Sequence, residues 1–252
     1  MKRKAPKLTL LERLINDHLS ADRDTATKEI LAGLVRVNGE VADKAGTLVS
    51  SDAQVAVANR KEFVSRAAYK LDAACSLFPV QVDGSVCADV GACTGGFTEI
   101  LLRRGARKVY AIDVGYGDLN WKVRSDPRVV VMERTNARYQ ESLAEPVSLV
   151  VIDVSFISLD KILPAVVKWF GPNGGAVVTL IKPQFEAERE DIGEGGIIRD
   201  PDVHTKVCAR VIDSLPQFGL IKRGLEPSPI LGAEGNKEFL LWAEINDGKR
   251  KA

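Results

Sequence analysis

The stretch from Val86 to Arg104 constrains this chain more than any other, because an apolar run (Val86 to Ala88) passes through a glycine loop (Asp89 to Gly96) into an amphipathic run (Phe97 to Arg104). A strand, a tight turn and a helix start are expected in that order. Gly91 and Gly95 can take positive φ and leave bare backbone for a ligand to lie against, while the first N–H groups of the new helix point at the same place. Asp89 adds an acceptor for a ligand's cation or hydroxyls. About twenty residues from the start of the loop, a second strand-like run, Lys108 to Ile112, ends in Asp113, where a carboxylate can hold both hydroxyls of a ribose. Together these features point to a ligand that carries a nucleoside.

The choice of nucleoside follows from a departure. The dinucleotide fingerprint G-x-G-x-x-G fails here, since Cys93 stands at its middle glycine. A pyrophosphate needs close backbone approach at that point, which counts against NAD and FAD. S-adenosylmethionine has no phosphate to accommodate and is the expected cofactor. Its candidate residues are Asp89, Gly91, Ala92, Cys93, Thr94, Gly95 and Gly96 in the loop and Asp113 at the ribose. Asn136 follows the third strand and is placed either at the adenine end or as the cap of a turn. An ordinary strand-to-helix turn in a parallel sheet would use the same glycines.

At 252 residues the chain has room for one large domain and one small one. A formal charge of +1 gives no global basic field, so any affinity for nucleic acid must come from local patches. Cys75, Cys87, Cys93 and Cys208 show no C-x-x-C spacing and no companion histidines, which argues against a bound metal and against a disulfide framework. A reducing compartment fits these thiols. Glu12 and Arg13 interrupt the apolar stretch after the basic start, and no run approaches a membrane span, so a cytoplasmic protein is expected.

Helical spacing marks residues 8 to 20 and Asp24 to Leu34, with Asp24 as the expected N-cap of the second helix and Gly33 near its end. Val35 to Val41 reads as two short strands around an Asn38-Gly39 turn, and Val55 to Val57 as a further strand. The segment GLVRVNGEVADKAGTLVSSDAQVAV resembles the small RNA-binding domain first known from a ribosomal small-subunit protein. That resemblance implies RNA contact, with Arg23, Lys28, Arg36 and Lys44 as candidates for phosphate binding. It departs from the family at Asp22-Arg23-Asp24, where a Ser-Arg pair usually opens the second helix. A small domain used for protein contact is the alternative. The expected division is 1–58 for this domain, 59–65 for a short linker and 66–252 for the remainder.

From Val86 onward, apolar runs alternate with helical segments: Lys108–Ile112, Val129–Met132, Val147–Val154, Ala176–Ile181, Leu220–Leu225 and Phe239–Ile245. Near-continuous apolar runs suit strands buried on both faces. The expected fold is an α/β, seven-stranded, doubly wound, Rossmann-like sheet of the methyltransferase type, one strand reversed, with a small N-terminal α+β domain. Asp153 closes the fourth strand and Lys182 the fifth, where Pro183 prevents the strand from continuing. Glu186 to Asp191, followed by Gly193, Gly195 and Gly196, reads as a mobile loop that closes over a substrate.

Several separated motifs in one order, DVGACTGGFTEILLRRGARKVYAIDVGYGDL, ERTNAR, DVSFISL, KPQFEAERE, GGIIRD and SPILGAEGNKEF, resemble the TlyA family, which joins this RNA-binding domain to an FtsJ-like methyltransferase. The resemblance implies 2′-O-methylation of a cytidine in ribosomal RNA with S-adenosylmethionine, and ribosomal RNA or subunits as partners. It also implies a Lys-Asp-Lys-Glu tetrad, carried here by Lys70, Asp153, Lys182 and Glu238. These relatives often have Ser where this chain has Cys93, a residue of nearly the same size. A ribose hydroxyl is a poor nucleophile near neutral pH, so its proton must be removed or hydrogen-bonded while its oxygen is aligned with the methyl group. Lys182 is the candidate for that task. A non-catalytic ribosome assembly factor is the competing reading. A haemolysin, a label the family also carries, is disfavoured by the lack of any spanning or barrel pattern.

Overall fold

The computed structural model describes residues 7–57, 63–232 and 234–245. The chain divides into two compact units, residues 1–62 and 63–252.

In the first unit, strand β1 (Lys7–Thr9) leads directly into helix α1 (Leu10–Asn16). Thr9 and Glu12 cap each other's backbone N–H groups, which fixes the helix start. The helix is shorter than its apolar spacing suggests because His18 turns left-handed at φ 54°. Helix α2 (Arg23–Leu31) is capped by Asp22, whose side chain accepts from Thr25 N at 2.8 Å. The expected cap, Asp24, instead pairs with Lys28 one turn on. Strands β2 (Val35–Val37) and β3 (Glu40–Val41) form the expected hairpin, with the paired positive φ angles of its turn at Asn38 (52°) and Gly39 (89°). Two short strands had no clear signal: β1 pairs with β4 (Leu48–Ser50), while β5 (Val55–Val57) joins β2. Leu10, Leu14, Ile30 and Val35 form the buried centre of this unit.

The second unit opens with Phe63 and Val64, the latter donating its N–H to Glu99 at 2.7 Å. Residues 59–62 of the expected linker, like the basic ends of the chain, lie outside the described residues. Helix α3 (Ala67–Leu77) precedes strand β6 (Val86–Val90), which the glycine loop joins to helix α4 (Gly96–Arg103). Strand β7 (Lys108–Ile112), helix α5 (Trp121–Arg124), strand β8 (Val129–Met132), strand β9 (Leu149–Ile152) and helix α6 (Leu163–Val166) follow. The chain continues with strand β10 (Ala176–Ile181), helix α7 (Pro183–Glu186), helix α8 (Pro201–Ser214), strand β11 (Leu220–Pro227) and strand β12 (Phe239–Ile245).

Seven of these strands form one sheet in the order β11-β12-β10-β9-β6-β7-β8, and β12 alone runs against its neighbours. Chain order reverses between β6 and β9, the place where open α/β sheets bind ligands at the carboxyl ends of their strands. Alternate residues of the central strands feed opposite cores. Val86, Ala88, Val150 and Ile152 face the side of α6 and α8, whereas Cys87, Leu149 and Val151 face α3 and α4. Burial on both faces explains why these strands read as unbroken apolar runs.

Candidate active site

The glycine loop is held by its neighbours. Gly91 has φ 85° and donates its N–H to Ile112 O, and a Cβ there would stand 2.3 Å from the carbonyl oxygen of Asp153. Only glycine lets the loop pass this close to the end of β9. Gly95 then caps α4, and Cys93 sits exposed between them at φ 45°. Partial burial raises the Cys93 thiol above its ordinary pKa. The Asp113 carboxylate accepts from Cys93 N at 2.8 Å and from Gly115 N at 2.7 Å, so the end of β7 is tied to the loop.

Two cavities meet here. The larger, about 400 Å³, is walled by Ile112, Val114, Ala137, Ile157 and Ile162, with Asp113, Thr135, Asn136, Asp153 and Ser155 among its polar members. The other, about 370 Å³, contains Arg66, Lys70, Asp153 and Lys182 beside Ala92, Thr94 and Gly96. Gly91, Cys93, Asp153 and Ser155 line both. Asn136 caps a turn by accepting from Arg138 N at 3.1 Å and also lines the larger cavity.

Asp89 and Gly95 line neither cavity. Asp89 is a strand residue, fully buried in β6, where Oδ2 accepts from Thr98 Oγ1 at 2.6 Å and Oδ1 has no partner. Burial, reinforced by the nearby charges of Asp153 and Asp113 and opposed by the Thr98 hydrogen bond, raises its pKa to about 7.

The four tetrad side chains form two ion pairs, one buried and one at the edge of the cavity. Lys70 Nζ, on α3, donates to Glu238 Oε2 at 2.6 Å, with 9% and 3% of the two side chains exposed. Lys182 Nζ, at the start of α7, lies 2.6 Å from Asp153 Oδ1 but off the line of a hydrogen bond, and it donates to Ser155 Oγ at 3.0 Å. Both lysines and Asp153 face the smaller cavity, and Glu238 stands behind Lys70. Buried pairs of this kind offset a large desolvation cost and fix two cations at defined points.

Sequence reasoning passed over Ser155 and Arg66. Ser155 lies two residues past Asp153, and Arg66 lies one helical turn before Lys70, so both spacings carried the signal. The basic run near the end of α4 is spoken for: Arg103 pairs with Glu99, Arg104 with Asp72, and Arg107 and Lys108 with Glu145. Glu186 is buried rather than part of a free loop, and Asp191 pairs with Lys206 of α8. His204 is buried against Phe239, with Nε2 3.1 Å from Ile198 O. Among the phosphate candidates of the first unit, Arg23, Lys28, Arg36 and Lys44 are all exposed. Lys28 pairs with Asp24, and Arg36 donates to Gly39 O.

The donor set fits S-adenosylmethionine. No Lys, Arg or His lines the larger cavity among the described residues, whereas two aspartates do. A pyrophosphate would meet the Asp113 carboxylate there with no cation on the cavity wall, whereas a sulfonium nucleoside would not be repelled by it.

Comparison with known proteins agrees. The FtsJ-like methyltransferase family matches residues 63–245. The 16S/23S rRNA (cytidine-2′-O)-methyltransferase TlyA of Mycobacterium tuberculosis is 44% identical over 91% of this chain and 87% of its own. Hemolysin A of Brachyspira hyodysenteriae is 44% identical over 92% of this chain and 98% of its own. A solved structure of a hemolysin-named protein from Streptococcus thermophilus superposes with a TM-score of 0.72 and 42% identity, covering 96% of this chain and 90% of that one. No helix among the described residues is long and apolar enough to cross a membrane. The extent of these matches, on a sheet of methyltransferase order with its cavities at the strand ends, shows that the chain belongs to the TlyA family of FtsJ-like methyltransferases and takes its methyl group from S-adenosylmethionine.

Proposed function

We propose that the protein methylates the 2′-hydroxyl of a cytidine in ribosomal RNA, working on ribosomal subunits in the cytoplasm. The observation that carries this reading is the meeting of two unlike cavities at Asp153 and Ser155, one acidic and apolar, the other holding Lys70, Lys182 and Arg66. The first suits a cationic nucleoside and the second a ribose flanked by phosphates. The activity that names the M. tuberculosis relative supports the choice of RNA, nucleotide and hydroxyl.

Bound S-adenosylmethionine supplies an electrophilic methyl group on a positively charged sulfur. Asp113 would hold the cofactor's ribose, Asn136 its adenine end, and Gly91, Ala92, Cys93, Thr94 and Gly96 would give it a backbone floor. Asp89 and Gly95 support that floor from beneath. Lys182 would hold the substrate hydroxyl with its oxygen towards the bound donor, and the hydroxyl proton would pass to the Asp153 carboxylate as the O–C bond forms at the expense of the donor's S–C bond. Lys70, fixed by Glu238, stabilises the negative charge that grows on the oxygen. Arg23, Lys28, Arg36 and Lys44 dock RNA through its phosphates.

The test mixes the protein with methyl-labelled S-adenosylmethionine and, separately, small and large ribosomal subunits lacking the modification. Label in RNA is expected, confined to cytidine 2′-oxygens and lost in Lys182→Ala. Transfer that persists in that variant would remove Lys182 from the chemistry, and no label on either subunit would sink the proposal.

A further inference from the structure

We infer that Glu186 is a positioning residue: its carboxylate ties the loop after β9 to the loop after β10 and so holds Asp153 and Lys182 in register for methyl transfer. The inference rests on the function proposed above and deepens it.

The ladder between β9 and β10 ends at Ile152 and Thr179. Asp153, whose N–H still donates to Val90 O of β6, and Lys182 lie beyond it, at the roots of two loops that this ladder no longer joins. Glu186, at the end of α7, bridges them from the far side. Its Oε1 accepts from Leu159 N at 2.7 Å and its Oε2 from Ser158 Oγ at 2.8 Å. Arg210 of α8 reaches the same Oε2 at 3.3 Å and also donates to the Glu186 carbonyl oxygen. Only 3% of the Glu186 side chain is exposed, so these bonds are shielded from competing water.

A second observation shows that the loop needs such a tie. Phe156 lies between Asp153 and Ser158 with φ 63°, a conformation that an aromatic residue adopts only under restraint. Burial does not supply the restraint, because Phe156 is 91% exposed, its ring set against the tilted ring of Phe185, 4.9 Å away between centroids. The loop is therefore held at its two ends, by Asp153 and Ser155 with Lys182 on one side and by Ser158 and Leu159 with Glu186 on the other. Releasing the second end lets Phe156 relax to negative φ, which turns the backbone that carries Ser155 and Asp153. Glu186 lines neither cavity, so it acts through these residues and not on the substrate. A displacement of about 1 Å at reacting groups can cost about a hundredfold in rate.

The experiment uses full-length protein with unmodified ribosomal subunits and measures single-turnover methyl transfer at saturating RNA and cofactor. The dissociation constant of S-adenosylmethionine and the melting temperature are read alongside. Glu186→Ala is expected to slow transfer by about 30- to 100-fold while cofactor affinity stays within about threefold. Glu186→Gln keeps an acceptor for Leu159 N and should recover most of the rate. An unchanged rate in Glu186→Ala, a loss matched by the loss of cofactor affinity, or no recovery in Glu186→Gln would overturn the inference. Should Glu186→Ala not fold, Ser158→Ala decides. It removes one bond from the clamp, and a fall of about three- to tenfold supports the tie while an unchanged rate refutes it. Wild-type protein without transfer would instead overturn the proposed function, and this inference with it.

Discussion

A lysine and a glutamate 2.6 Å apart, both almost out of water, depend on each other more than a surface pair does. Removing the carboxylate of Glu238 leaves the Lys70 ammonium buried without a counter-charge. Glu238→Ala is therefore expected to lose about 3 to 5 kcal/mol of unfolding free energy in urea titration, together with most methyl transfer. Asp89 gives the opposite lesson. Its native pKa of about 7 stands above its ordinary value of 3.8, so between those two pH values the folded chain keeps a proton that the unfolded chain has released. Its contribution to stability thus falls as pH rises through that window and is level above it. Asp89→Asn removes this dependence, and its melting temperature relative to wild type should rise from pH 4 to pH 8, by an amount on the order of a few kcal/mol in free energy. A constant difference across that range would place the ionised carboxylate in the native state throughout. Nothing in the sequence separates Asp89 from a ligand-facing residue; only the pairing of β6 on both sides, with Thr98 above it, shows that its side chain is sealed in the core.

Among the elements, the glycine loop places the tightest demand on residue type. At Gly91 a side chain meets both an unfavourable φ and the backbone of Asp153, whereas at Gly84, with φ 70°, it meets the φ alone. Gly84→Ala should cost about 1 kcal/mol and leave cofactor binding alone. Gly91→Ala must move the loop or the end of β9, and we expect calorimetry to show at least a tenfold loss of affinity for S-adenosylmethionine. Equal affinity in the two variants would mean that the loop does not floor the cofactor. Loop and strands were legible in advance for physical reasons. β7, β8, β10 and β12 fall at the boundaries their apolar runs suggest, and β7 and β10, buried on both faces, end where polarity returns. The three-residue strands β1 and β4 were not, because they exist through each other and neither has a pattern long enough to show period two. The Lys182–Ser155 and Glu186–Ser158 bonds each link residues 27 or 28 apart through loop paths that no local pattern encodes.

For the molecule as a whole, docking and chemistry have separate energetics if, as proposed, the first unit binds RNA and the second carries the reaction. Net charge of +1 means that no global field draws the protein to RNA, so the salt dependence of binding must come from individual contacts. The exposed side chains of Arg23, Lys28, Arg36 and Lys44 lie in the first unit, whereas both cavities lie in the second. If the first unit docks the ribosomal substrate, replacing Lys28, Arg36 and Lys44 together by Ala should raise the KM for RNA steeply. It should leave kcat at saturating RNA and the affinity for S-adenosylmethionine near their wild-type values, because neither cavity has lost a group. The plot of log KM against log salt distinguishes loss of phosphate contacts from a misfolded unit. Each contact removed should flatten its slope by about 0.7 to 0.9, so the triple variant should lose about two to three units of slope while its melting profile is kept. A raised KM with the slope intact would mean that these residues support the shape of the first unit and that the phosphate contacts lie elsewhere, with Arg66, beside Lys70 in the second unit, the first to replace.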